Sequence, residues 1–103
     1  MVKGKLKIIW DDEAKVALRS IYDYIKYRES VGVATRVRNE NVRQIKALGR
    51  FTKKFAKEPH LMNAPGDFRF KVIWSYKIIY EVTLEYILVL DIFHTSRDPS
   101  GIN

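Results

Sequence analysis

Cysteine is absent from the 103-residue sequence, which excludes a disulfide framework and thiol chemistry. A zinc site also loses its commonest donors, because His60 and His94 are the only histidines; no metal and no cofactor is expected. Glycine and proline number five and three, too few for a collagen-like or linker-rich chain. The longest apolar run, residues 86–93, is broken by Asp91 and falls far short of the roughly 20 residues that span a bilayer. The first residues carry neither the apolar stretch nor the small-residue cleavage site of a secretory signal, so a cytoplasmic location with no membrane partner is expected. There is also no Gly-rich phosphate loop, no HExxH and no nucleophile elbow.

What the sequence does hold is enough apolar material for one core. Hydrophobic residues make up 47% and aromatics 13%, which suits one globular domain over 1–103. The net charge of +7 is concentrated in the middle third. There Arg36, Arg38, Arg43, Lys46, Arg50, Lys53, Lys54 and Lys57 face Glu40 alone, whereas residues 58–103 carry more acids than bases. Such a segment attracts phosphate backbones or an acidic protein, and it serves equally as a solvated helix face.

The periodicity predicts a strand over 5–10 and an amphipathic helix over 12–28, capped by Asp11 or Asp12. A second helix is expected over 33–48, after an interruption at Ser30 and Gly32 and with Gly49 as its stop. Its apolar positions are sparser, so it should be the more exposed partner of an antiparallel helix pair. Residues 49–66 read as a loop with a helical turn near 51–55. Three strands follow, over 68–74, 76–82 and 86–94. The fold class is therefore α+β, with a helical hairpin packed on one face of a four-stranded, mainly antiparallel sheet.

The first hairpin of that meander decides where the charges point. A three-residue loop, Trp74–Ser75–Tyr76, would set Arg69, Lys71 and Lys77 on one open face among aromatics. A two-residue loop would mix charged and apolar rows on both faces, which burial disfavours. The last strand is apolar on both sides, as a covered central strand should be. His94 ends that strand, followed by Thr95, Ser96, Arg97, Asp98 and Pro99. Cations stabilise the charge that builds on a phosphate during RNA cleavage, and a histidine can move the proton. Lys77, His94 and Arg97 are thus the candidate catalytic residues. The same cluster could instead grip nucleic acid or a partner carboxylate, with Arg69, Lys71, Lys77, Arg97, Arg50, Lys53 and Lys54 as the binding set. An exposed Lys77 would be replaceable by alanine within roughly half a kcal/mol. Arg69, Lys71 and Lys77 also fit plain strand solvation, and Trp10, Trp74, Tyr76 and Tyr80 fit core or rim packing.

The run YKIIYEV–TLE–YILVLDIFHTSRDP resembles the C-terminal signature of the RelE/ParE toxin superfamily, and KIIWDDEAKVALRSIYDYI resembles that family's first strand and helix. The resemblance covers nearly the whole chain. It implies the toxin of a type II toxin–antitoxin module, of the plasmid-stabilisation kind, that arrests growth and is neutralised by a small acidic antitoxin. RelE-like members cut mRNA in the ribosome with cations on the sheet face; ParE-like members poison DNA gyrase. By position, Arg69 and Lys71 fall on the RelE sheet cations, Lys77 on its motif arginine, and Arg97 on its C-terminal arginine. Lysine in place of that arginine removes a planar two-pronged phosphate contact, and no tyrosine follows Arg97. The HTSRDP ending leans toward ParE. The expected function is therefore gyrase inhibition, with a ribosome-dependent mRNA endonuclease, or a homologue that only binds its partner, as the alternatives.

Overall fold

The structure is a computed structural model and describes residues 5–97. Its elements are β1 (Lys7–Trp10), α1 (Asp12–Arg28), α2 (Val31–Ala47), β2 (Asp67–Ile73), β3 (Tyr76–Val82) and β4 (Tyr86–His94), with short 3-10 turns at Pro59–Leu61 and Thr95–Arg97. Asp98 and Pro99, which follow the candidate Arg97, lie outside the described residues. No helix among these is long and apolar enough to cross a membrane.

Local chemistry sets the helix boundaries. Asp11 caps α1 by accepting the Glu13 N–H at 3.2 Å, and Asp12 and Glu13 complement the helix dipole in the first turn. The interruption expected at Ser30 is present between α1 and α2. Ser30 caps α2 by accepting the Val33 N–H at 3.1 Å, so the second helix starts two residues earlier than its apolar periodicity suggests and takes in Gly32. Only Glu29 and Ser30 separate the two helices, which pack on each other as a hairpin. Gly49 follows α2 where the backbone meets β1: its carbonyl accepts the Leu6 N–H at 2.9 Å, and a Cβ there would collide with the Leu6 carbonyl oxygen.

The sheet order is β1-β4-β3-β2, parallel between β1 and β4 and antiparallel elsewhere. The apolar β4 is thus internal, as its composition suggests. Its doubly apolar look has a more specific cause. The β3–β4 register shifts after Ile79, which faces Asp91, while Tyr80 faces Val89, so Leu90 is an extra residue in β4. This bulge lets Ile87, Val89 and Ile92 all reach the core despite their uneven spacing. They join Ile73, Ile78, Tyr80 and Val82 from the sheet and Ala14, Ile45 and Leu48 from the helices.

The β2–β3 hairpin corrects the sequence reading. Ile73 pairs with Tyr76, which leaves a two-residue loop, Trp74–Ser75. Trp74 holds a positive φ of 55° at the first loop position, the conformation that tight hairpin loops require. In this register Arg69 faces Tyr80 and Lys71 faces Ile78, whereas Lys77 faces Val72. Arg69 and Lys71 therefore share the helix-covered face with the core residues, and Lys77 points to the other side. The expected row of three cations on one open face does not form. The mixed faces are tolerated because each charge has a partner of its own. The helical turn expected at 51–55 is present as a single turn, with the Lys54 N–H donating to the Phe51 carbonyl at 3.1 Å, and a further 3-10 turn forms at Pro59–Leu61.

Candidate functional site

The candidate residues are distributed over four places. Lys77 is fully buried on the face away from the helices, with its Nζ 2.8 Å from Glu58 Oε1 and 4.5 Å from the Phe70 ring centre. Glu58 is itself buried, and its second oxygen accepts the His60 N–H at 2.9 Å. The Glu58 backbone N–H donates to the Phe68 carbonyl, and the Phe70 N–H donates to the Ala56 carbonyl. One carboxylate therefore caps the 3-10 turn, neutralises Lys77 and fastens the 49–66 loop along the free edge of β2. Sequence reasoning missed Glu58. Its signal is an acid directly before a proline inside a basic stretch, the pattern of a capped turn.

Arg69 is the second fastening. Its guanidinium donates to Asp67 Oδ1 at 3.0 Å and to the carbonyls of Phe55 and Lys53 at 2.7 and 3.3 Å. Lys53 and Lys57 also pair with Asp67, at 2.9 and 3.1 Å. Burial alone would raise the Asp67 carboxyl, but hydrogen bonds from Lys53, Lys57 and Arg69 hold it down at about 2. Lys71 lies half-buried with Nζ 4.6 Å from the Phe55 ring centre. Burial, followed by the charges of Lys54 and Arg43, lowers its pKa. Lys54 sits over Phe51 and Phe55. These cations hold the loop to the sheet edge.

The third place is a groove of about 570 Å³ between α1 and the end of β4. Ala17, Ile21 and Ile92 line it with apolar surface, and Tyr24, Tyr76, His94 and Arg97 supply its aromatic and polar groups. Tyr76 and His94 meet edge to face, with ring centres 5.5 Å apart. The Ser96 N–H donates to His94 Nδ1 at 3.0 Å, with Ser96 Oγ 2.8 Å from the same nitrogen. With a backbone donor aimed at Nδ1, the neutral ring carries its hydrogen on Nε2. Burial raises the Tyr76 pKa. Beside the groove, the Thr95 N–H donates to the Ser75 carbonyl at 2.8 Å, which brings the Trp74 loop to the same end of the molecule. Trp74 in that loop and Tyr24 in the groove lining are both exposed. Tyr24 was legible as an aromatic off the core stripe of α1, but the residues that share its groove, Tyr76 and His94, lie on strands fifty residues or more away in sequence.

The fourth place is a second groove, of about 620 Å³, along the outer side of α2. Lys5, Arg38, Arg43, Lys46 and Arg50 line it, together with Val42. Arg50 is the one member of the expected binding set found here. Among the described residues, no three His, Cys, Asp or Glu side chains come together as a metal site would need.

A scan of protein families matches residues 8–99 to the family described as ParE toxin of type II toxin–antitoxin system, parDE. Among solved structures, the chain superimposes on one from the chromosomal ParDE TA system of P. aeruginosa with a TM-score of 0.73 and 23% sequence identity, covering 87% of this chain and 96% of that one. That likeness supports the same fold. No curated protein matches the sequence.

Proposed function

The chain belongs to the ParE toxin family of type II toxin–antitoxin systems, and from that premise we propose that it arrests growth by poisoning DNA gyrase and is silenced by a small acidic antitoxin. The observation that carries the gyrase reading is the buried Lys77–Glu58 pair. An RNA-cleaving site needs free cations around the phosphate that accumulates charge. Lys77, the residue in the motif position, is neutralised on the far side of the sheet, and Arg69 is committed to Asp67 and two loop carbonyls. Among the described residues, Arg97 is the one Lys or Arg lining the His94 groove. With its hydrogen on Nε2, His94 suits hydrogen-bond donation better than proton abstraction.

The groove end of the molecule has the composition of a protein-docking surface. Tyr24, Tyr76 and Arg97 line the groove around an apolar floor, with the exposed Trp74 in the neighbouring loop, and Trp, Tyr and Arg dominate binding hot spots. Gyrase is the proposed occupant. The solved relative comes from a ParDE system, and a ParD-type antitoxin is proposed here to cover the same groove, its acidic chain steered by the +7 net charge.

Inducing the chain alone should stop bacterial growth, and co-expressing the acidic partner should restore it. With purified gyrase and supercoiled plasmid, the protein should trap double-strand breaks, while mapping of cellular mRNA should show no A-site cuts. Codon-phased mRNA cuts with gyrase unaffected would transfer the activity to the endonuclease class. Normal growth at high expression would leave a homologue that only binds its partner.

A further inference from the structure

The α2 groove differs from the His94 groove in every respect that selects a partner. Five cations line it, from Lys5, Arg38, Arg43, Lys46 and Arg50, and its apolar surface is limited to Val42 and Ala47. Arg43 is neutralised by Glu40, which it meets through two hydrogen bonds. No carboxylate among the described residues pairs with Lys5, Arg38, Lys46 or Arg50. Arg38 is instead braced against the Tyr22 ring, 4.9 Å from its centre, which fixes the guanidinium without neutralising it. Lys5 reaches the same groove because the Leu6–Gly49 backbone bond ties the start of β1 to the end of α2.

Like charges at helical spacing destabilise a helix unless an anion neutralises them, and nothing in the core requires this grouping. A protein partner would look for an apolar or aromatic centre to desolvate, which this groove lacks. A polyanion whose affinity is almost wholly electrostatic needs only the cations. Arg38 and Lys46 are eight residues apart, about 12 Å along the helix. Double-stranded DNA carries one phosphate per roughly 1.7 Å of its axis, so a stretch of about 12 Å offers more phosphates than the groove has unneutralised cations. We infer that the outer face of α2 is a sequence-independent docking surface for the phosphate backbone of double-stranded DNA. It would hold the toxin on the nucleic acid on which its target acts. The choice of DNA over duplex RNA rests on the gyrase reading; the phosphate-backbone chemistry does not.

The test uses the full chain, a fluorescein-labelled 30-base-pair DNA duplex and no gyrase, with anisotropy read from 50 to 200 mM salt. Four neutralised phosphates give a log–log slope of about −3.6, or roughly 150-fold weaker binding across that range. Lys46→Gln combined with Arg50→Gln should bring the slope to about −1.8, with an unchanged circular dichroism spectrum. Lys26→Gln, on α1, should leave it unchanged. An unaltered slope in the double variant would overturn the proposal. So would tighter binding to duplex RNA, or a double variant that loses antitoxin affinity while retaining DNA. Failure of wild-type protein to trap gyrase breaks, with DNA binding as described, would remove the gyrase reading and leave the backbone-binding surface standing.

Discussion

Replacing Lys77 with methionine tests the contact on which the functional reading turns. The side chain is fully buried, and so is its partner Glu58. Methionine keeps the length and the contact with Phe70 but removes the ammonium, leaving Glu58 with the His60 N–H as its remaining side-chain hydrogen bond. Breaking a buried pair from one side costs about 3–5 kcal/mol, because an uncompensated charge stays in a low-dielectric site. Against a total stability of about 5–15 kcal/mol that is a large fraction, and it should lower Tm by more than about 12 °C in a domain of this size. This reverses the expectation for an exposed lysine, which tolerates truncation. A second variant separates charge from packing: Lys77→Met with Glu58→Gln removes both charges, keeps an acceptor for His60 and should recover most of the loss. Urea unfolding of the purified proteins, with unchanged m-values, measures both. A Lys77→Met protein within about half a kcal/mol of the wild type, or a double variant no better than the single, would show that the pair is not buried as described. Lys77 would then return as a target-facing cation, and the argument against RNA cleavage would lose its main support.

Three further outcomes follow from other sites. Asp67, held near 2 against an ordinary 3.8, stabilises the fold above pH 4 and loses that contribution as pH falls toward 2. Asp67→Asn should therefore flatten the acid limb of a pH–stability curve by on the order of 1–2 kcal/mol, discounted for the half-exposed lysines, and an unchanged acid limb would contradict the assignment. Gly49→Ala, which drives a Cβ into the Leu6 carbonyl oxygen, should cost about 1–3 kcal/mol. Gly32→Ala, whose Cβ meets nothing nearer than Ser30 Oγ at 3.8 Å, should instead stabilise by up to about 1 kcal/mol; equal effects in thermal melts would refute the close approach. Trp74→Gly should relieve the positive φ and leave the fold as stable or slightly more so, while gyrase inhibition weakens about tenfold or more if the indole is a hot spot; full inhibition by this variant would place the gyrase contact elsewhere.

Strong periodic signals made most of the fold legible. The stripe Ala14, Ala17, Leu18, Ile21, Ile25 needs only helical geometry to become one face, and the Asp11 cap declares where that helix begins. The meander and the central place of β4 followed from apolar density alone. Ser30 was harder to read, because a serine before Val–Gly serves equally as a break or a cap, and the distinction lies in its contact with the Val33 N–H. The β4 bulge was invisible, since an extra residue in a run of Ile, Leu and Val changes no pattern that a period of two would reveal.

The candidate site divided along the same line. By itself the sequence determined the strands and helices, the basic middle third and the family resemblance, because these depend on local spacing and composition. Only the tertiary structure decided which charges are available. Whether Lys77 faces solvent or Glu58 depends on one residue of hairpin register, and a slip of one moves a side chain through the sheet. Glu58 and Lys77 stand nineteen residues apart in sequence and 2.8 Å apart in the fold. Lys5 joins Arg50 through a backbone bond between Leu6 and Gly49, and Tyr24 meets Tyr76 and His94 because α1 packs on β4. A charge's meaning lies in its neighbours, and chain closure rather than sequence proximity selects them.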